Sequence, residues 1–275
     1  RARIEALTAE TGITPPDEEI GGSTRDFFTP LYGLTRYSDL FTPRQMLTLL
    51  TFVKYVRAAH EEMIAAGIAA EYSRAVLTFL GLALDKTTDR NSTLCRWDLS
   101  SSGGRLASTF ARQALPMVWD YAETNPLAGG AGDLRLAVEG VAGVIMNLPH
   151  GIPGYVQRGT ATEQPFDDQL FDAVVTDPPY YDNVSYADLS DYFYVWLKRS
   201  IGPLYPEHFV GDITPKKKEA IAAPHRHEDS TDASRQFYES MMFQSLQEAH
   251  RVLRRNGFIT IVYAHKTTAG WSTLV

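Results

Sequence analysis

A short acidic and aromatic motif follows a β-branched run in the second half of the chain. Asp177, Pro178, Pro179 and Tyr180 come directly after residues 171–176, whose Val and Thr content favours a strand. A carboxylate can accept one N–H of an amino group, and a neighbouring backbone carbonyl can accept the other. The motif therefore predicts a site that holds an exocyclic amine, with Asp177 and the carbonyl of Pro178 as the two acceptors.

The remaining residues of the motif suit a nucleobase as the carrier of that amine. Two successive prolines fix their φ angles, so they hold both acceptors in position. Tyr180 offers a flat ring on which a base can stack. Because a base inside a duplex cannot be reached, an enzyme of this kind turns the nucleotide out of the helix.

The segments around the motif predict a strand–helix–strand unit. A strand over 171–176 is followed by an amphipathic helix over 236–254, an Asn-Gly helix exit at 256–257 and a second strand over 258–263. A connection of this length joins parallel strands. Ligands of open parallel sheets bind beyond the carboxyl ends of the strands, which is where Asp177 lies.

Three further helices are expected upstream. Thr42 and Pro43 have the residue types of an N-cap and a first helical position, and they precede an apolar stripe over 45–60. Residues 69–85 show a similar stripe, and 134–148 form a weaker candidate because two glycines interrupt it. Residues 1–30 are polar and contain Pro-Pro and Gly-Gly pairs, so we expect a linker or N-terminal extension there and one catalytic region over 31–275.

Composition narrows the class of protein. With 275 residues, 44% apolar and 21% charged, the chain is typical of a soluble globular protein. A net charge of −7 argues against a surface that binds nucleic acid everywhere, although it permits a local basic groove. The single cysteine, Cys95, excludes a disulfide framework within the chain and fits a reducing cytoplasm. We expect no metal site and, without a long apolar run, no membrane partner.

The stretch 174–199 resembles the adenine-specific DNA methylases that carry an N-terminal DUF1156 domain, some of which are associated with anti-phage defence. Segments 32–45, 89–97, 112–121 and 264–268 agree with the same family, so the resemblance runs from about residue 30 to the end. It implies an α/β fold with the class I S-adenosylmethionine-dependent methyltransferase (Rossmann-like) sheet. It also implies methyl transfer from S-adenosylmethionine to adenine N6, with DNA and other subunits of a restriction-modification or defence system as partners.

The resemblance also assigns cofactor contacts. It implies six cofactor-binding residues: Phe41, Thr42, Pro43, Gly159, Thr160 and Ala161. The first three are similar to a segment that contacts the amino-acid end of S-adenosylmethionine. The last three stand where relatives have Gly-Asp-Ala, whose Asp binds the adenine amine of the cofactor. Thr160 replaces that Asp, and a hydroxyl accepts a hydrogen bond more weakly than a carboxylate.

A second group of residues lies near the motif or at the end of the second strand. Five residues are candidates for substrate contact: Tyr181, Asn183, Tyr186, His265 and Lys266. The aromatic residues over 186–196 have helical spacing, which is more typical of a core than of a base-stacking surface.

One expected feature is missing from the sequence. The family's Gly-rich cofactor loop is not found, so we expect the sheet to be incomplete in this chain. Either an N-terminal portion that carries the loop lies upstream, or the chain does not bind the cofactor alone. Two alternatives therefore stay open. The chain can modify an amino group of RNA or a protein amide, or it can be a catalytically inactive nucleic-acid-binding subunit that keeps the methyltransferase fold.

Overall fold

A computed structural model of the chain describes residues 1–23, 26–100, 103–149, 151–181 and 184–263. The fold is mixed α/β. It divides into two units where the sequence predicted one region over 31–275. The first unit contains Arg1–His150 and Asp188–Thr214, and the second contains Gly151–Ala187 and Pro215–Val275.

Helices dominate the first unit. They are α1 (Ala2–Thr11), α2 (Pro43–Ala65), α3 (Ala70–Thr88), α4 (Leu134–Met146) and most of α5 (Tyr186–Ser200). A small antiparallel hairpin, β1 (Arg96–Asp98) and β2 (Arg105–Ala107), lies between α3 and α4 in the chain. The predicted helices over 45–60, 69–85 and 134–148 are confirmed, each with bounds shifted by a few residues.

The core of the first unit contains a cluster of aromatic side chains among aliphatic ones. Tyr192 and Trp196 of α5 are completely buried, and Phe41 packs against both, with ring centroids at 6.0 Å and 5.3 Å. The interpretation of the 186–196 aromatics as mainly core residues is confirmed for these two. Cys95 is buried as well.

Residues 1–30 differ from the expected linker. They begin with α1, and Ile13, Ile20 and Phe27 are buried in the core of the first unit. Arg199 of α5 donates to the carbonyls of Thr14 and Pro15 at 2.7 Å and 2.9 Å, which ties this segment down. The prolines and glycines of the segment therefore shape an ordered path rather than a linker.

The second unit contains the predicted strand–helix–strand unit: β3 (Phe171–Thr176), α6 (Thr231–Val252) and β4 (Leu253–Ile261). The strands are parallel, as the spacing predicted, with Val174 opposite Ile259. The predicted helix exit at 256–257 is wrong. The chain turns from helix to strand at Leu253, whose φ of −83° and ψ of 134° are those of extended backbone, and the Asn-Gly pair lies inside β4.

The described part of the second unit has a sheet of two strands. Parallel sheets are normally covered on both faces, yet Val175 is 73% exposed and Phe258 is 62% exposed. The parallel pairing is thus present, and side chains of both strands are exposed. Across the described ranges, no helix has both the length and the apolar character needed to span a membrane.

Candidate functional site

We call Asp177, Pro178, Pro179 and Tyr180 the proline corner. It begins directly where β3 ends, and there the N–H of Val262 donates to the carbonyl of Thr176 at 2.9 Å. Because β3 and β4 are parallel, the corner lies at the carboxyl ends of both strands. Asp177 is exposed, so its carboxylate is accessible to a ligand.

The side chains of Tyr180 and Asp177 interact within the corner. This interaction, with a smaller contribution from burial, raises the pKa of Tyr180 above its ordinary value, so the phenol keeps its proton at neutral pH. A carboxylate has about four lone-pair positions on its two oxygens. Asp177 can therefore interact with Tyr180 and still accept an N–H from an amine.

Two further tyrosines, Tyr238 and Tyr263, contact the proline corner. Tyr238 of α6 is completely buried, and its hydroxyl donates to the carbonyl of Pro179 at 2.7 Å. Burial is the main cause that raises the pKa of Tyr238. The hydroxyl oxygen of Tyr263 lies 3.4 Å from that of Tyr238, and its ring meets Tyr180 edge to face at 5.6 Å. Helix α6 and the end of β4 thus both contact the corner.

Tyr181, a candidate for substrate contact, is engaged within the protein. Its ring packs edge to face on Tyr238 with centroids 4.9 Å apart, and its carbonyl accepts from the N–H of Ala222 at 3.0 Å. Its φ of +42° is unusual for a residue with a side chain and costs about 1–3 kcal/mol when surroundings enforce it. Tyr181 therefore stabilises the turn after the corner.

A segment beside Ala222 also holds the start of α5. Glu219 accepts from the N–H of Ala187 at 2.8 Å, and it forms an ion pair of 2.5 Å with Arg226. A carboxylate at a helix N-terminus is favoured by the helix dipole. Tyr186, at the first position of α5, is 49% exposed and remains available to a ligand.

Charged residues of α6 hold the loop that leads into β3. Arg251 donates to the carbonyls of Gln164 and Phe166 at 2.9 Å and 2.8 Å. It also binds Glu248, whose carboxylate accepts from the N–H of Gln164 at 2.9 Å. The bonds from Arg251 and Gln164 outweigh burial and lower the pKa of Glu248 to about 2.

The predicted cofactor residues of the second unit form a turn of their own. The N–H of Thr162 donates to the hydroxyl of Thr160 at 3.3 Å, and the two hydroxyl oxygens are 2.8 Å apart. Gly159 and Ala161, on either side, are exposed. The Thr160 hydroxyl is therefore already hydrogen-bonded within the turn.

The first unit contains the other predicted cofactor residues at the start of α2. Thr42 is the N-cap, as predicted, and Pro43 occupies the first helical position. Thr42 and Gln45 form a reciprocal capping box, with the N–H of Thr42 donating to Oε1 of Gln45 at 2.8 Å. Phe41, in contrast, is mainly a core residue and is 7% exposed.

A carboxylate of the chain itself lies at this helix end. Glu123 accepts from the hydroxyl of Thr42 at 2.8 Å and forms a 2.5 Å ion pair with Arg44. Burial is the largest single effect and opposes its ionisation, but the hydrogen bonds from Arg44 and Thr42 together outweigh it and lower the pKa of Glu123. Glu123 therefore provides a carboxylate at the N-terminus of α2, where the helix dipole favours a negative charge.

A cavity of about 320 Å³ adjoins this helix end, and Arg44, Gln45, Asn91 and Glu123 are among the residues that line it. Gln45 is 4% exposed, and its Nε2 has no hydrogen-bond partner among the described residues. A buried donor without a partner is costly, so it marks a position where an acceptor would be stabilised. The cavity thus offers a free amide donor, a guanidinium and a carboxylate.

Three candidate residues cannot be located: Asn183, His265 and Lys266 lie outside the described residues. In the part of the chain that is described, His, Cys, Asp and Glu side chains do not form a group of three that could hold a metal ion. Sequence reasoning missed Tyr238, Glu123 and Gln45. Of these, Gln45 had a signal, because a Thr followed three residues later by Gln is the pattern of a capping box.

Comparison of the chain with models of protein families finds no match. Curated proteins and solved structures also give no match. Support for a function must therefore come from the residues of the two units.

Proposed function

We propose that this protein is an S-adenosylmethionine-dependent amino-methyltransferase that modifies adenine N6 in DNA. The observation that carries the proposal is the proline corner at the carboxyl ends of β3 and β4, with the exposed Asp177 beside the half-buried ring of Tyr180. On this proposal β3 and β4 belong to a class I methyltransferase sheet. The protein acts in the cytoplasm, in a restriction-modification or defence system that includes further subunits.

The chemistry follows from what the corner can accept. The carboxylate of Asp177 takes one N–H of the adenine amino group and the carbonyl of Pro178 takes the other, so the nitrogen becomes pyramidal and its lone pair points away from both. Tyr180 stacks on the turned-out base and fixes its plane. Positive charge that develops on the nitrogen is stabilised by these two acceptors, and Asp177 is placed to receive the proton that leaves.

The cofactor supplies an activated methyl group on a sulfonium. Its amino-acid end carries an ammonium and a carboxylate, and the cavity beside α2 has complementary groups for both. Glu123 can bind the ammonium, while Nε2 of Gln45 and the guanidinium of Arg44 can bind the carboxylate. This fit supports the part of the proposal that concerns Thr42 and its surroundings, with Glu123 and Gln45 added to the residues that the sequence suggested.

The test is label transfer by the purified full-length protein. Radioactive S-adenosylmethionine is offered with DNA, RNA or a protein extract, and the labelled product is digested and identified by mass spectrometry. We expect N6-methyladenine in DNA, and we expect its loss in Asp177→Ala. Asp172→Ala is the matched control, because Asp172 is an exposed carboxylate on β3, five residues earlier in the chain.

Each other result has a defined meaning. Label in RNA or in a protein amide would support the amine-binding role of the corner but would assign a different substrate. Binding of DNA without any label transfer would favour an inactive nucleic-acid-binding subunit. Full activity of Asp177→Ala would refute the role of the corner.

A further inference from the structure

One side chain from a distant part of the chain binds the backbone of the proline corner. Tyr238 lies 59 residues after Pro179, and its hydroxyl donates to the Pro179 carbonyl at 2.7 Å. The hydroxyl is part of a completely buried residue, so little water competes for this bond. The Pro179 carbonyl is the next one along the backbone after the Pro178 carbonyl, which is the proposed amine acceptor.

The surroundings of Tyr238 restrict its own position. Tyr181 packs on its ring at 4.9 Å, and Ala222 and Met242 belong to the same buried cluster. The N–H of Ala222 also binds the carbonyl of Tyr181 at 3.0 Å. The Tyr238 hydroxyl therefore has a fixed place from which to hold the Pro179 peptide.

We propose that Tyr238 is a positioning residue for the methyl-transfer reaction: its hydroxyl holds the Pro179 carbonyl so that the Pro178 carbonyl and Asp177 converge on one amine. This inference rests on the proposed function. Each proline fixes its own φ, and Pro179 also restricts the ψ of Pro178, but the ψ of Pro179 is left open, so the two prolines alone do not set the direction of the Pro179 carbonyl. The N–H of Tyr181 donates to this carbonyl at 3.2 Å, and the hydrogen bond from the buried Tyr238 adds a second restraint on the peptide that joins Pro179 to Tyr180.

A restraint of this kind has a distinct kinetic signature. Tyr238 is completely buried and so does not touch a bound ligand, and binding of DNA and of S-adenosylmethionine should be unaffected by loss of its hydroxyl. Misplacement of an acceptor by a fraction of an ångström lowers the rate of the chemical step, by roughly 10- to 100-fold. The effect should appear in kcat and leave KM nearly unchanged.

The experiment compares the full-length protein with Tyr238→Phe in methyl transfer to DNA. Tyr192→Phe is the matched control, because Tyr192 is equally buried and its hydroxyl donates to the carbonyl of Thr88 at 2.8 Å, in the first unit. We expect kcat to fall roughly 10- to 100-fold in Tyr238→Phe, with both KM values within about twofold of the parent protein. Tyr192→Phe should keep its kcat.

A third variant protects the test against a simple loss of folding. Replacement of Tyr238 by 4-aminophenylalanine keeps the ring and restores an N–H donor at the same position, so it should recover most of the kcat lost in Tyr238→Phe. Equal kcat in Tyr238→Phe and the parent protein, equal losses in both Phe variants, or absence of rescue would overturn the inference. Absence of methyl transfer by the parent protein would instead refute the proposed function, and the inference with it.

Discussion

The side chains of Tyr180 and Asp177, three residues apart in the chain, interact with each other, and this interaction raises the pKa of Tyr180. The two proposed functions of the corner, stacking on the base and accepting its amine, therefore belong to side chains that already interact within the protein. This arrangement exists before any substrate arrives. Preorganised acceptors need no rearrangement during the reaction, which is an advantage for catalysis.

Substitution of Tyr180 should separate the ring from the hydroxyl. Tyr180→Ala removes the stacking face, and we expect kcat/KM for DNA to fall by roughly 5- to 150-fold, the range found for loss of one stacked base. Tyr180→Phe keeps the ring and loses only the hydroxyl and its interaction with Asp177, so it should retain most of the activity. Steady-state kinetics of both variants decide the matter, and equal losses would show that the hydroxyl, not the ring, is the important group.

Loss of the Thr42 hydroxyl should weaken α2 at its start. Thr42→Ala removes both the bond from the Gln45 N–H and the bond to Glu123, and an N-cap of this type contributes about 1 kcal/mol to the free energy of unfolding. Thr42→Ser keeps the hydroxyl and should be nearly neutral. Urea unfolding measures both, with Thr48→Ala as the control within the same helix. A Thr42→Ala protein as stable as the Thr48→Ala protein would contradict the cap.

Local patterns were sufficient to predict the elements that carry the site. The β-branched run of β3 and the Thr-Pro start of α2 are each specified by neighbouring residues, and both were found where the sequence indicated. The partners of the site were not predictable in this way. Tyr238 is 59 residues from Pro179, and Glu123 is 81 residues from Thr42, so no periodicity or capping rule connects them.

Asp85 of α3 should destabilise the first unit increasingly as the pH rises. It is 7% exposed, its Oδ1 has no partner among the described residues, and burial raises its pKa well above the usual value. Folding therefore favours the protonated acid. Below the unfolded-state pKa of about 3.8, Asp85 is protonated in both the folded and the unfolded chain, so its burial adds no pH-dependent cost. Above that pH the unfolded chain is stabilised by losing the proton, so the free energy of unfolding falls.

Asp85→Asn should consequently be more stable than the parent protein at pH 7, by a margin that grows with pH from about 4 to the raised pKa and then stays constant. Each kcal/mol gained raises Tm by roughly 2–4 °C. Thermal unfolding between pH 4 and 8 measures the difference, and Glu71→Gln at the start of α3 is an exposed control. A difference that does not change with pH would show that Asp85 is ionised in the folded protein.

Glu248, in contrast, should stabilise the folded protein less as the pH falls into the acid range. Its pKa is lowered from 4.5 to about 2, first by the hydrogen bond from Arg251 and then by that from the N–H of Gln164. A lowered pKa means that the stabilising contribution is complete above 4.5 and is lost as the pH falls towards about 2. Glu248→Gln cannot lose a charge in this range, so its disadvantage relative to the parent protein should shrink from pH 5 to pH 2. The exposed Glu239→Gln on the same helix should show no such trend, and parallel curves for Glu248→Gln and the parent protein would mean that the ion pair does not hold the loop before β3.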